Sequence, residues 1–172
     1  MNIIEHDHGA DKIASHQPSF TSCLVISHDY QLLLQQRASD WPTYPDYISA
    51  FGGRIEAGET PTETIIRELQ EELGAQVTAT ELHYLGVVTE ASSEHKEMVF
   101  GFIWHDKSNT ITGCYEGEIV SFNEVTTLLA KNKLLDDIPW LIEKSLQENL
   151  LSMVFDSKNL DSNLNLWQKN QS

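Results

Sequence analysis

The sequence predicts one mixed α/β domain of the α+β class, and three observations support this prediction. Short apolar segments with strand character alternate with at least two segments of helical periodicity. The 172 residues suit a single domain with a substantial core, and 40% apolar and 22% charged residues is an ordinary globular composition. The sequence has no internal repeat and no segment typical of a linker between domains.

The net charge and the cysteines narrow the class of function. A formal charge of −15 argues against direct binding to nucleic acid or to an anionic membrane, because both require a basic surface. Cys23 and Cys114 form no CxxC pair, which argues against a disulfide framework or a thiolate zinc site. The N-terminal residues do not resemble a signal peptide, and the apolar runs are too short to span a membrane. We therefore expect a cytoplasmic protein, and a homodimer is compatible with these features.

The first third of the chain predicts an arm, a hairpin, a loop and a short strand. Residues 1–18 are polar, acidic and rich in histidine, and we expect a loosely held N-terminal arm. Two strand-like segments, at about 20–27 and 31–37, flank the turn "SHDY" and predict the hairpin. The loop is "ASDWPTYPDY", with two prolines and three aromatic residues, and "ISAFGG" is a short strand that ends in two glycines.

A helix over about 61–73 has clear signals at both ends. Thr60 is a suitable N-cap, Pro61 fits the first helical position, and Glu63 completes a capping box. Gly74 fits the left-handed position that ends a helix. At 100° per residue, the apolar side chains form one face of this helix: Ile65, Ile66, Leu69 and Leu73.

The sequence after the predicted helix indicates three strands and two helices. The strand-like segments are "LHYLGVVTE", "EMVFGFIWHD" and "EGEIVSFNEV". A short helix is expected at about 124–131, and Asp136 or Asp137 could cap a longer amphipathic helix. The main domain is thus 19–155. Residues 156–172 form a tail. Leu160, Leu164 and Trp167 could anchor it, and a frayed end is the alternative.

Three glutamates project side by side from the predicted helix at 61–73. Glu68, Glu71 and Glu72 are spaced i, i+3 and i+4, and Glu72 lies nearest the apolar face, where it should be partly shielded from water. One interpretation is an exposed glutamate-rich helix in which Arg67 pairs with Glu63 and Glu71. The other is a site for a hard divalent cation, because one arginine cannot neutralise three carboxylates and Mg²⁺ prefers oxygen ligands.

The spacing around these glutamates resembles the Nudix box, Gx₅Ex₇REUxEExGU, in which U is a bulky apolar residue. The matching residues are Gly53, Glu59, Arg67, Glu68, Leu69, Glu71, Glu72 and Gly74. Ala75 is small for the last U position, and Phe51 stands where the family usually has proline, so the box alone does not assign a subfamily. The resemblance covers about residues 20–150 and implies the Nudix fold, a mixed β-sheet sandwiched between α-helices.

The resemblance implies a hydrolase that cleaves a diphosphate bond in a nucleoside diphosphate linked to another group, by attack of water on phosphorus. It implies that Mg²⁺ or Mn²⁺ is held by the carbonyl of Gly52 and by four glutamates. Glu68, Glu71 and Glu72 belong to the box, and Glu116 belongs to a later loop. Arg67 would hold neighbouring carboxylates in place, and Glu59 is expected to be structural. Such cations neutralise phosphate charge and lower the pKa of a bound water.

The resemblance leaves the general base open. Glu116 is the first choice, and Glu118 is the second because it leads directly into a strand. A box glutamate, or Glu94 or Glu97 in the loop between two strands, is the alternative. Each of the loop glutamates could also be an ordinary solvated carboxylate.

Four residues before the box are candidates for binding the substrate. Trp41 and Tyr47, with the neighbouring Tyr44, lie in the loop, where an aromatic ring could stack on a base. Arg37 ends the second predicted strand and could reach a phosphate. The alternatives are loop packing for the rings and an ordinary surface role for the arginine. The marks of the ADP-ribose, dinucleoside polyphosphate, NADH and coenzyme A subfamilies are absent, which leaves a nucleoside triphosphate or a nucleotide-sugar as the expected small-molecule substrate.

Two further functions share this fold. A non-catalytic Nudix-like sensor that binds a nucleotide usually loses box glutamates, whereas this sequence keeps them. An enzyme similar to isopentenyl diphosphate isomerase would need a catalytic cysteine, and Cys23 lies too early in a predicted strand.

Overall fold

A computed structural model describes residues 3–12, 18–90 and 97–155, and it contains seven strands and three α-helices. The strands are β1 (Ile3–His6), β2 (Ser19–Ile26), β3 (Leu32–Gln36), β4 (Ile48–Ser49), β5 (His83–Glu90), β6 (Met98–His105) and β7 (Glu118–Phe122). The helices are α1 (Pro61–Leu73), α2 (Val125–Leu129) and α3 (Asp137–Gln147), with a 3₁₀ turn at Ala79–Glu81. Within the described segments, no helix is long and apolar enough to cross a membrane.

The seven strands form one mixed sheet. Its order is β1-β5-β6-β2-β3-β4, and β7 pairs with β3. The β2–β6 pair is parallel, and the other pairs are antiparallel. The predicted hairpin is formed by β2 and β3, whose pairing joins Val25 to Leu33 and Ile26 to Leu32.

Helices cover both faces of the sheet, as the predicted fold class requires. Successive side chains of β2 point to opposite faces, so Cys23 and Val25 pack with α1 while Leu24 and Ile26 pack with α3. Burying one large aliphatic side chain contributes about 1.5–3 kcal/mol, so each face supplies a substantial share of the stability. The mixed sheet sandwiched between helices, expected from the sequence, is confirmed.

Helix α1 begins and ends at the predicted residues. The Thr60 side chain accepts a hydrogen bond from the Glu63 N–H, and the Glu63 carboxylate accepts one from the Thr60 N–H. Gly74 has φ +64° and closes the helix. The buried face differs slightly from the prediction, because Ile66 is only partly buried while the carboxylate-bearing Glu72 is 3% exposed.

The N-terminal residues are held more firmly than the sequence indicated. The prediction of a loosely held arm is wrong for Ile3–His6, which form β1 and pair with β5. The chain then reaches α1, where the Ala10 carbonyl accepts hydrogen bonds from the N–H and hydroxyl of Thr62. An edge strand is held by its backbone, so it needs no alternating apolar pattern and leaves little signal in the sequence. The predicted tail at 156–172, with its candidate anchors, lies outside the described residues.

Candidate active site

The glycine pair after β4 brings the backbone against the carboxylates of α1. The Gly52 N–H donates a hydrogen bond to a carboxylate oxygen of Glu72 at 2.9 Å. Gly52 has φ +146°, and a Cβ there would lie 2.1 Å from the Thr21 carbonyl oxygen. A Cβ on Gly53 would lie 2.5 Å from the Glu68 carboxylate. The backbone of β2 therefore excludes a larger residue at Gly52, and a Cβ at Gly53 would displace the Glu68 carboxylate.

Glu72 is the buried member of the glutamate group. Burial raises the pKa of its carboxyl group to about 9, and the charges of Glu68, Glu116 and Glu71 add to the rise. The hydrogen bond from Gly52 opposes these effects. The sequence predicted partial shielding of Glu72, and the structure buries it almost completely.

Glu68 and Glu71 differ in exposure. The side chain of Glu68 is 14% exposed, whereas that of Glu71 is 57% exposed. Burial raises the pKa of Glu68, and the charges of Glu71 and Glu116 also raise it while Arg67 lowers it. The site thus holds two shielded carboxylates and one exposed carboxylate on a single helix turn.

Arg67 connects the start of the box to these carboxylates. Its Nε and Nη2 atoms donate to the two Glu59 oxygens, each at 2.9 Å, and this pairing lowers the pKa of Glu59 to about 2. Its Nη1 atom donates to Glu68 at 2.8 Å and to Glu71 at 3.3 Å. Glu63, the other predicted partner of Arg67, instead completes the helix cap. The geometry gives Glu59 a structural position and places Arg67 between it and the carboxylates.

Glu116 lies on an exposed turn that is attached to both α1 and β3. The Tyr115 N–H donates to the carbonyl of Glu72 at 2.8 Å. The side-chain amide of Gln35 donates to the carbonyl of Glu116 at 2.6 Å. The charge of Glu116 contributes to the raised pKa of both Glu68 and Glu72, so its carboxylate lies in the same electrostatic field.

The other candidate bases have different positions. Glu118 is the first residue of β7. Burial raises the pKa of the Cys114 thiol, and the charge of Glu118 adds to the rise. Glu97 directly precedes β6, and Glu94 lies outside the described residues. Cys23 is fully buried beside α1, where burial raises the pKa of its thiol, so this residue is inaccessible for chemistry.

Arg37 and Trp41 form a stacked pair next to the site. The guanidinium carbon of Arg37 lies 4.3 Å from the centre of the Trp41 ring, a cation–π contact. The Nη2 atom of Arg37 donates to the carbonyl and hydroxyl of Thr43, each at 3.0 Å. The Nε atom is buried and lacks a hydrogen-bond partner among the described residues. Burial lowers the pKa of Arg37, whereas Glu72 and Glu116 raise it, which places Arg37 between the loop and the carboxylates.

The two tyrosines of this loop, Tyr44 and Tyr47, contact each other edge to face, with ring centres 5.4 Å apart. The carbonyl of Tyr47 accepts the backbone N–H of Arg37 at 2.9 Å. Tyr47 therefore supports the loop through its backbone.

Two residues near the site, Gln35 and Thr21, belong to no motif that the sequence revealed. Gln35 is buried, and its amide connects the Glu116 turn to Ser49 of β4. Thr21 holds the glycine turn, since its N–H donates to the Gly53 carbonyl at 2.8 Å. A polar residue at a strand position that alternation assigns to the buried face was the available signal for Gln35.

The donor chemistry of the site fits a hard divalent cation. The side chains and the nearby carbonyls of the glycine turn offer oxygen atoms only, and the crowded carboxylates raise one another's pKa, a repulsion that a cation would relieve. In the part of the chain that the structure describes, no three His, Cys, Asp or Glu side chains are gathered into a ready metal site. The oxygens of Glu68 and Glu71 are instead engaged by Arg67, and Glu72 is engaged by Gly52.

Comparison with known proteins gives a family match and a set of related folds. The model of the NUDIX domain matches residues 16–142. The nucleoside triphosphatase NudI from Escherichia coli O139:H28 (strain E24377A / ETEC) is 38% identical over 60 residues, which are 35% of this chain and 43% of that protein. The chain thus spans less than half the length of the curated relatives it matches.

Two solved structures illustrate the likeness of fold. The pyrophosphohydrolase BsRppH from Bacillus subtilis is 21% identical with a TM-score of 0.61, and the match covers 86% of this chain and 90% of that one. A bifunctional NMN adenylyltransferase/ADP ribose pyrophosphatase from Francisella tularensis, complexed with AMP and a manganese ion, is 20% identical with a TM-score of 0.56 and matches over 77% and 42%. At these identities the likeness concerns the fold alone.

Proposed function

The chain belongs to the NUDIX family, and on this premise we propose that it hydrolyses a diphosphate bond in a nucleoside diphosphate linked to another group. The observation that carries the proposal is the group of carboxylates Glu68, Glu71 and Glu72, which is packed against the Gly52–Gly53 turn and shares its electrostatic field with Glu116.

Mg²⁺ or Mn²⁺ would be held by the Gly52 carbonyl and by four carboxylates. These carboxylates are Glu68, Glu71 and Glu72 of α1 and Glu116 of the later turn. When bound, such a cation neutralises phosphate charge and lowers the pKa of water. The crowding of the carboxylates supports this assignment, and a manganese ion accompanies the related fold from Francisella tularensis.

The residues of the chain then have separate roles. A carboxylate oxygen of Glu116 accepts a proton from the water whose oxygen bonds to phosphorus as the bridging P–O bond breaks. Arg67 keeps Glu68 and Glu71 in place through its bidentate pairing with Glu59. The guanidinium of Arg37, which lies in the field of Glu72 and Glu116, is the cation suited to a phosphate oxygen, and the Trp41 ring beside it supports a base.

The proposed substrate is a nucleoside triphosphate, with a nucleotide-sugar as the alternative. The name of the Escherichia coli relative supports the first, although the likeness covers only part of both chains. The acidic charge and the two free thiols, Cys23 and Cys114, support a reducing cytoplasmic setting. Gel filtration with light scattering would decide between a monomer and a homodimer.

The test is a panel of nucleoside triphosphates and nucleotide-sugars, assayed for phosphate and pyrophosphate release with Mg²⁺, with Mn²⁺ and with EDTA. Hydrolysis in ¹⁸O-water should place the label on a phosphate product, since water attacks phosphorus. Full turnover in EDTA would refute the metal assignment. Binding of nucleotides without any hydrolysis would favour a non-catalytic sensor.

A further inference from the structure

We propose that Gln35 is a positioning residue that holds the Glu116 turn at the carboxylates of α1, an inference that rests on the proposed role of Glu116. Gln35 lies on β3, is 3% exposed and is 81 positions from Glu116 in sequence. Its amide nitrogen donates to the Glu116 carbonyl at 2.6 Å, and its amide oxygen accepts from the Ser49 hydroxyl at 3.3 Å.

The two partners of Gln35 fix the orientation of its amide. The Glu116 carbonyl can only accept a hydrogen bond, so the amide nitrogen must face it. The Ser49 hydroxyl can donate, so it matches the amide oxygen on the other side. A buried amide without these partners would cost about 1–3 kcal/mol, and an apolar side chain would fill the position without that cost. The buried amide is therefore best explained by its hydrogen bonds to Glu116 and Ser49.

The position of Gln35 in the sheet puts the amide on the side of the site. Side chains alternate along β3, and Leu33, on the same face as Gln35, packs in the core that includes α1. The next residue on this face is Arg37, whose guanidinium lies in the field of Glu72 and Glu116. Gln35 thus stands between the core under α1 and the stacked arginine.

The Glu116 turn is held between β3 and α1. On the α1 side, Thr112 and Tyr115 donate backbone N–H groups to the carbonyls of Leu73 and Glu72, at 2.9 and 2.8 Å. On the β3 side, Gly117 has φ +67°, and a Cβ there would lie 2.5 Å from the Gln36 carbonyl oxygen. The backbone pairing of Gln36 with Glu118 begins directly after the turn, and the Cys114 thiol donates to the Glu116 carbonyl at 3.1 Å. The Gln35 bond adds to these contacts a side-chain link from β3 to Glu116 itself.

This attachment matters because the Glu116 side chain is exposed, so packing does not set its position. The backbone of the turn sets it instead. A catalytic group displaced by about 1 Å can lose about a hundredfold in rate. Removal of the amide should therefore reduce kcat through Glu116, with little effect on the residues that bind the substrate.

The experiment is a double-mutant cycle on the full chain, with Gln35→Leu, Glu116→Gln and the pair, assayed on the best substrate of the panel. We expect Gln35→Leu to lower kcat by about tenfold with KM changed by about twofold or less, and to cause no further loss in the Glu116→Gln background. Ser49→Ala is the matched control, because it removes the other partner of Gln35 and leaves the bond to Glu116. Its kcat should stay within about twofold of the wild type.

Three results would overturn the proposal. They are an unchanged kcat in folded Gln35→Leu, losses that add fully with those of Glu116→Gln, and an equal loss of kcat in Ser49→Ala. A Glu116→Gln variant with wild-type kcat would show that Glu116 is not the base. This failure of the proposed function is distinct from a failure of the Gln35 proposal, because it is seen without any change at Gln35. If Gln35→Leu does not fold, Gln35→Met removes the amide with an unbranched side chain of similar length. Its kcat should fall in the wild-type background only, and an unchanged kcat in that folded variant would also overturn the proposal.

Discussion

The burial of Glu72 predicts that the metal-free protein loses stability as the pH rises through the neutral range. Its carboxyl group has an ordinary pKa of 4.5 and a pKa of about 9 in the folded protein, with burial as the largest cause. Between these values the folded state keeps a proton that the unfolded state has released, so the free energy of unfolding falls as the pH rises. The fall is about 1.4 kcal/mol for each pH unit, or about 3 kcal/mol between pH 6 and pH 8.

Thermal unfolding in EDTA measures this effect. In a domain of this size, 1 kcal/mol corresponds to about 2–4 °C in Tm, so the wild-type Tm should fall by about 6–12 °C more than the Tm of Glu72→Gln over this range. The glutamine keeps an acceptor for the Gly52 N–H but has no proton to release. Glu71→Gln makes the same chemical change at an exposed carboxylate and is the matched control.

The same variants separate stability from activity. Glu72→Gln should be more stable than the wild type at pH 8 without metal. Its kcat should nevertheless be lower by about tenfold or more, because the proposed metal site loses a charge. Glu71→Gln should lose kcat similarly without the gain in stability. If the Tm of the wild type and of Glu72→Gln declined in parallel between pH 6 and pH 8, the electrostatic reasoning about this residue would be refuted.

Three further predictions concern other parts of the site. Glu116→Gln should lower kcat more than Glu118→Gln, and equal near-wild-type rates in steady-state assays would move the base to the box or to the loop between β5 and β6. Trp41→Ala should raise KM by about 5- to 150-fold and spare kcat, because stacking acts alike on the ground state and the transition state; an unchanged KM would exclude stacking on this ring. Glu59 has a pKa lowered to about 2 by Arg67, so its stabilisation is present above pH 4.5 and is lost as the pH falls towards 2. Acid unfolding followed by circular dichroism should therefore show a smaller loss of stability over this range in Glu59→Gln, and identical acid transitions would contradict the pairing.

Local signals explain why α1 could be predicted to the residue. The cap at Thr60 and the glycine at position 74 act within one helix turn, so their effect can be read from neighbouring letters of the sequence. The strands that alternate or carry apolar runs were predicted for a similar reason. The position of Glu72 at the edge of the apolar face was also predictable, although its degree of burial depends on the approach of Gly52, which is distant in sequence.

The contacts that the sequence could not predict join distant segments. The amide of Gln35 meets Glu116 only because β3 pairs with β7 in one register, and a shift of one residue would turn it to the other face. The stacking of Arg37 on Trp41 depends on the path of the loop between β3 and β4. The strand β1 was missed because its backbone, rather than its side chains, carries the pairing.

The edge position of β1 has a consequence for solubility. β1 occupies one side of β5, a strand with the buried residues Val87 and Val88. Shortening the protein to the 19–155 region would leave the N–H and C=O groups on that side of β5 without their partners. Exposed apolar edges of this kind pair readily with other chains, so the trimmed protein should self-associate and precipitate even where the proposed active site is intact. We therefore expect the few residues of β1 to protect the β5 edge from aggregation.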